Sequence, residues 1–143
     1  MTKEEKDLLL KDLCARLPYG VIVRVCDKEW GDFDSYVDSI SNTCIETHPI
    51  EDLNFNPYVF YKLEDIKPYL RPMSSMTDDE WEEYNHLKME DWVMGDIYGV
   101  FYNAGTITDW LNKYMFDYRG LIPMGLALEA SEGMYKIEEN GKV

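Results

Sequence analysis

The sequence predicts an α+β fold: an N-terminal helix, a small antiparallel sheet or SH3-like barrel, then an acidic helix and a short C-terminal helical segment. Three observations predict it. Apolar residues recur at helical spacing behind a capping box at the start of the chain. After Pro18 the apolar period drops to two. From Thr77 a second capping box opens a run of carboxylates interleaved with Trp and Tyr.

In the first element, Thr2 and Glu5 form the capping box, and Leu10, Leu13, Cys14 and Leu17 fall at i, i+3, i+4 and i+7, giving one apolar stripe. Pro18-Tyr19-Gly20 ends it. Val21, Val23 and Val25 then alternate with Ile22, Arg24 and Cys26, as a strand with one buried face requires. Turn residues at Gly31-Asp32 and Ser41-Asn42 leave short strands near Ser35 to Ile40 and Thr43 to Thr47. Pro49 to Pro57 reads as a loop, and Tyr58-Val59-Phe60-Tyr61 as a fourth strand. Ile66 to Pro72 reads as a connector, because Pro68 and Pro72 forbid a regular helix.

The second capping box pairs Thr77 with Glu80, and Asp78 and Asp79 lie in the first turn, where the helix dipole favours negative charge. At ~100° per residue, Trp81, Tyr84, Lys88 and Trp92 share one side, with most carboxylates opposite and Glu80 the exception. Gly95, Gly99 and Gly105 bracket Ile97-Tyr98 and Val100-Phe101-Tyr102, which read as a short hairpin or an irregular aromatic segment. Thr108 is placed as the cap of a short helix over Trp110, Leu111 and Tyr114. Leu126-Ala127-Leu128 reads as a closing strand or helix end. These elements give one domain over residues 1–130, sheet-rich over 19–72 and helical over 76–130, with 131–143 as a partly flexible tail.

The chain has 143 residues, is 45% hydrophobic and 14% aromatic, and so has ample material for one core. Its 14 Lys and Arg stand against 28 Asp and Glu, a net charge of −14. Such a surface repels phosphate backbones and anionic lipid, which disfavours direct nucleic-acid or membrane binding. No signal-peptide pattern opens the chain and no stretch approaches the ~20 apolar residues of a membrane span. Three unpaired cysteines, Cys14, Cys26 and Cys44, point to reduced thiols, and the expected location is cytoplasmic.

Catalytic patterns are sparse. Cys14, Cys26, Cys44 and His48 would supply a Cys3His zinc set, but no Cys-x-x-Cys knuckle grips the metal, and buried reduced thiols are the preferred reading. Cys44 with His48, or scattered carboxylates, would have to serve a small hydrolase-type enzyme, since Gly-x-Ser-x-Gly and the glycine-rich phosphate loops are absent. No cofactor is expected. Arg71 and Arg119 stand among aromatics, where stacking or a buried ion pair is expected. The strongest local signal is charge: between Thr77 and Asp91 seven carboxylates face the single Lys88. Asp78, Asp79, Glu82, Glu83 and Glu90, with Trp81, Tyr84 and Trp92, are therefore the candidate surface for a protein partner, with their charge suiting a basic one. An acidic DNA-mimic inhibitor of a nucleic-acid-binding protein is a further reading of the same residues.

The strings Ile66-Lys67-Pro68-Tyr69-Leu70-Arg71-Pro72-Met73-Ser74-Ser75-Met76-Thr77, Thr108-Asp109-Trp110-Leu111-Asn112-Lys113 and Phe116-Asp117-Tyr118-Arg119-Gly120-Leu121-Ile122-Pro123-Met124-Gly125-Leu126-Ala127 resemble a family of small uncharacterised proteins of gut Bacteroidales and their phages. So does the opening Lys11-Asp12-Leu13-Cys14-Ala15-Arg16-Leu17-Pro18-Tyr19-Gly20. The resemblance implies a bacterial or phage cytoplasmic protein, on a mobile element in some hosts, and it implies no catalytic residues. Charge and resemblance together favour a non-enzymatic protein-interaction or regulatory role over enzymatic activity.

Overall fold

A computed structural model describes residues 1–53, 59–98 and 104–135, and the side chains of those residues except 90–98, 104 and 105. Helix α1 spans Lys3–Arg16, with Thr2 Oγ1 accepting the Glu5 amide at 3.1 Å and Glu5 accepting the Thr2 amide at 2.8 Å. A short 3-10 turn, Leu17–Tyr19, ends at Gly20, whose φ of 75° is a left-handed conformation that glycine adopts without Cβ strain. Strands β1 (Ile22–Asp27), β2 (Gly31–Ile40), β3 (Ile45–Pro49) and β4 (Phe60–Tyr61) form an antiparallel meander. Strand β5 (Ile66–Leu70) pairs antiparallel with the other side of β1, and β6 (Leu128–Glu129) runs parallel to β5.

The order β4-β3-β2-β1-β5-β6 makes a curled, mixed six-stranded sheet whose outermost strands, β4 and β6, are not paired with each other. The α+β class holds. The β1–β2 hairpin is set by Asp27, whose carboxylate accepts the Glu29 and Trp30 amides at 2.8 and 2.9 Å and the Tyr61 hydroxyl at 2.8 Å.

Several local expectations change, and Gly31-Asp32, expected as a turn, opens β2 instead. The buried face of α1 is Leu9, Asp12, Leu13 and Arg16, one residue off the expected stripe, so Cys14 is exposed and Leu10 and Leu17 only half-buried. The shift arises because this face buries an ion pair, which a hydrophobic pattern cannot register. Ile66 to Leu70 is a strand rather than a connector. The backbone N–H and C=O of Ile22 face the β5 side, so Val23 turns its own toward β2, and Pro68 opposite Val23 has no ladder N–H to supply. Helix α2 spans Asp78–Tyr98, taking in Gly95, Ile97 and Tyr98, and α3 spans Ala104–Lys113, which puts Thr108 inside the helix rather than at its cap. Tyr58, the segment Val100 to Tyr102 and the tail beyond Tyr135 lie outside the described residues.

Helix α3 ends with the Phe116 amide on the Leu111 carbonyl at 3.0 Å and the Met115 amide on the Asn112 carbonyl at 3.1 Å. This is the double hydrogen bond that reverses a chain through a left-handed residue. Here that residue is Met115, φ 62° and fully buried, so apolar burial offsets a conformational cost of roughly 1–2 kcal/mol. The reversal lays Phe116 beside Arg71, where Arg71 N–H donates to the Met115 carbonyl at 2.7 Å and Asp117 N–H to the Arg71 carbonyl at 2.8 Å. Met115 and Leu121 join Leu9, Leu13, Val23, Val25, Ile45, Ile66 and Leu70 in the main core between α1 and the sheet. A second cluster, Trp110, Leu111 and Phe116 with Tyr84 and Leu87, joins α2 to α3.

Candidate functional site

Helix α2 is anchored at its foot. The Thr77 amide donates to Glu80 Oε1 at 2.9 Å and the Glu80 amide to Thr77 Oγ1 at 3.2 Å, completing the capping box. Arg71 then clamps Glu80 with two hydrogen bonds, 2.8 and 2.6 Å. Burial alone would raise the Glu80 carboxyl, but Arg71 and Thr77 outweigh it and hold it below its ordinary value. The charge of Glu80 is thus compensated, and it is the carboxylate of this turn that the fold uses.

The other acids of this turn are different. Asp78, Asp79, Glu82 and Glu83 are exposed, and the structure gives none of them an ion pair among the described residues. Asp78 with Glu82 and Asp79 with Glu83 are like charges at i, i+4, each such pair costing a helix about 0.2–0.5 kcal/mol. Trp81, one turn after Asp78, is 52% exposed. Its ring is 6.0 Å from that of Tyr84, which is half-buried and stacks on Trp110 at 5.8 Å with an interplanar angle of 16°. Trp110 stacks in turn on Phe116 at 5.6 Å, and Arg71 sits 4.2 Å from the centre of that ring. Tyr84 is therefore a support and Trp81 the exposed end of the row. The side chains of Glu90 and Trp92 lie outside the described residues.

The Cys44 with His48 and cysteine–zinc readings are not assembled among the described residues. Cys44 precedes β3, with Ser41 Oγ 3.6 Å from its sulfur, on a cleft of about 350 Å³ that also includes Lys6, Lys62 and Glu64. His48 is four residues further along β3, a strand distance of about 13 Å. Its Nδ1 lies 2.6 Å from Asp38 Oδ1, and its ring tilts on Tyr36 at 5.4 Å. A thiol needs its base within hydrogen-bond reach, and this pair does not meet that condition. Cys14 is on the exposed side of α1 and Cys26 on β1, where burial and Asp32 push its thiol up. Among the described residues no group of three or more His, Cys, Asp or Glu is placed to hold a metal ion.

One polar centre escaped the sequence reading. Asp12 and Arg16, both fully buried, pair through two hydrogen bonds at 2.9 and 3.0 Å. Arg119 reaches the same Asp12 oxygen at 2.8 Å, and Arg16 donates to the Phe116 carbonyl at 2.7 Å. Arg16 Nη1 is buried with no hydrogen-bond partner among the described residues. Asp117 accepts the Leu121 and Ile122 amides at 2.8 and 2.9 Å, fixing the loop that carries Arg119. The available signal was Asp12 and Arg16 at i, i+4 on the sheet-facing side of an otherwise leucine-rich helix. The network joins α1 to the segment after α3 through a fully buried ion pair, the arrangement of a structural joint. Arg71 and Arg119 both do what their aromatic settings predicted.

No protein-family model, curated protein or solved structure matches this chain. No helix among the described residues is long and apolar enough to cross a membrane.

Proposed function

We propose that this protein is a non-enzymatic interaction protein that presents the foot of α2 to a basic segment of a protein partner, in the cytoplasm of a bacterium or of its phage-infected host. The observation that carries this reading is Trp81, 52% exposed at the edge of the face that Arg71 clamps and Trp110 stacks on, with Asp78 one turn before it and Asp79, Glu82 and Glu83 exposed on the remaining faces of the same two turns. A large aromatic in a preorganised position lowers the ordering cost of binding, and unneutralised carboxylates steer and select a cationic partner. The setting rests on the resemblance to small Bacteroidales and phage proteins.

The test is photo-crosslinking in a native host from a reporter at position 81, followed by affinity measurement with the captured protein. In an Asp78→Lys, Glu82→Lys, Glu83→Lys variant, binding is expected to weaken at least about tenfold, since each exposed pair is worth about 0.2–1 kcal/mol and is reversed rather than removed. The thermal midpoint should stay within a few degrees. A captured partner that binds the variant equally well, or one with no basic surface, overturns the proposal.

A further inference from the structure

Strands β1 and β5 part at one end, and a side chain fills the gap. Their ladder pairs Val25 with Ile66, Arg24 with Lys67 and Val23 with Pro68, so the next rung joins Ile22 to Tyr69. Pairs alternate between hydrogen-bonded and non-bonded along an antiparallel ladder, and Pro68 can occupy only a non-bonded one, so Ile22–Tyr69 is due to be bonded. Instead the Ile22 amide donates to the Tyr135 hydroxyl at 2.8 Å, and that hydroxyl donates to the Tyr69 carbonyl at 2.8 Å, with the Ile22 carbonyl at 3.2 Å. A hydroxyl from the end of the described chain has taken the place of a backbone rung. Burial pushes the Tyr135 phenol well above its ordinary range, so it stays a neutral donor.

The segment this hydroxyl fastens is short. Ala130 closes the strand pairing, its amide donating to the Leu70 carbonyl at 2.8 Å, and the Met134 amide donates to the Ser131 carbonyl at 3.1 Å. Residues 129–133 and Tyr135 wall one side of a cleft of about 480 Å³, whose other side is Arg71, Thr77 and Glu80 at the foot of α2. We propose that residues 131–135 are a reversible strap, hinged at Ala130 and fastened by the Tyr135 hydroxyl, whose release lets the Ile22–Tyr69 rung close directly and opens the cleft beside α2. Release leaves no buried backbone group orphaned, because the Ile22 N–H and the Tyr69 carbonyl become each other's partners. A fastening with such a fallback opens by itself, without unfolding the sheet.

Amide exchange on the full chain tests it, comparing wild type with Tyr135→Phe. The variant should exchange the Met134 amide at least tenfold faster, while Ile22, Ala130 and Val25 keep their protection. In wild type, exchange of the Met134 amide should be insensitive to low urea, as local opening requires, whereas that of Val25 should follow global unfolding. Unchanged protection of Met134 in the variant overturns the fastening role. Loss of protection at Ile22 overturns the rung closure. A Met134 amide that opens in wild type only with global unfolding overturns the strap itself.

Discussion

Neutralising Asp12 removes a fully buried carboxylate that faces two arginines. Asp12→Asn conserves the side-chain volume but leaves Arg16, fully buried, facing a neutral amide that keeps one acceptor oxygen and turns an NH2 donor toward a guanidinium N–H. Breaking one side of a buried ion pair costs about 3–5 kcal/mol, because the remaining charge is neither hydrated nor compensated. Arg119 adds little to the loss, since its side chain is 18% exposed and can turn to water. Chains of this size have total stabilities of roughly 7–20 kcal/mol, so the variant stays folded but weakened. With a urea dependence of about 2 kcal/mol/M, the midpoint of unfolding should fall by about 1.5–2.5 M. The double variant Asp12→Leu, Arg16→Met keeps the packing without either charge and should recover most of that loss, because apolar replacements of buried pairs are commonly neutral or stabilising. Equilibrium urea unfolding at neutral pH reads both. A single-variant shift below about 0.5 M, or a double variant no more stable than the single one, would refute the assignment of this centre as a tightly coupled buried pair.

Two further outcomes follow from the titrating groups. The folded-state pKa of Glu80 lies below its ordinary 4.5, so its pairing with Arg71 stabilises the protein above that value and is lost as pH falls through the folded pKa. The thermal-midpoint gap between wild type and Glu80→Gln should therefore be constant from pH 7 to 5 and shrink as the pH drops below 4.5. A gap that persists unchanged at pH 2 contradicts the pairing. For the thiols, Cys14 is exposed while burial and Asp32 push the Cys26 thiol up. Disulfide-exchange labelling at pH 8, mapped by peptide mass, should modify Cys14 before Cys26, and Cys26 should gain more from a rise in pH. Equal rates at pH 8 would count against the described packing of β1.

What the sequence conceals is where a residue's usual role is displaced by its partner. The existence of α1, β1 and α2 is written in period and capping, and Thr2–Glu5 and Thr77–Glu80 both form the expected reciprocal bonds. The buried face of α1 is not, because Asp12 and Arg16 compensate each other through a third residue, Arg119, more than a hundred positions away. Strand β5 is hidden for a similar reason: Pro68 looks like a breaker until its rung is known to need no N–H. The exposed carboxylates of α2 are legible because charge at the first turn and helical spacing are local properties. The division of labour between Trp81 and Tyr84 is not, since it depends on Trp110 arriving from α3.

The four arginines connect the core to the surface charge. Each is ion-paired and each lies over an aromatic ring: Arg16 and Arg119 with Asp12 over Tyr118, Arg24 with Asp34 over Tyr69, and Arg71 with Glu80 over Phe116. A planar guanidinium can do both at once, with its edge in a carboxylate and its face on a ring, which an ammonium cannot. The fold therefore uses its most versatile cations to join elements, α1 to the loop after α3 and β5 to the foot of α2. Only lysines remain to balance an acidic surface, and around Trp81 none is paired with the four exposed carboxylates among the described residues. The net charge of −14 is thus not spread evenly over the interactions that hold the protein together. Its arginines are built into the joints, and at the foot of α2 its negative side is left facing outward.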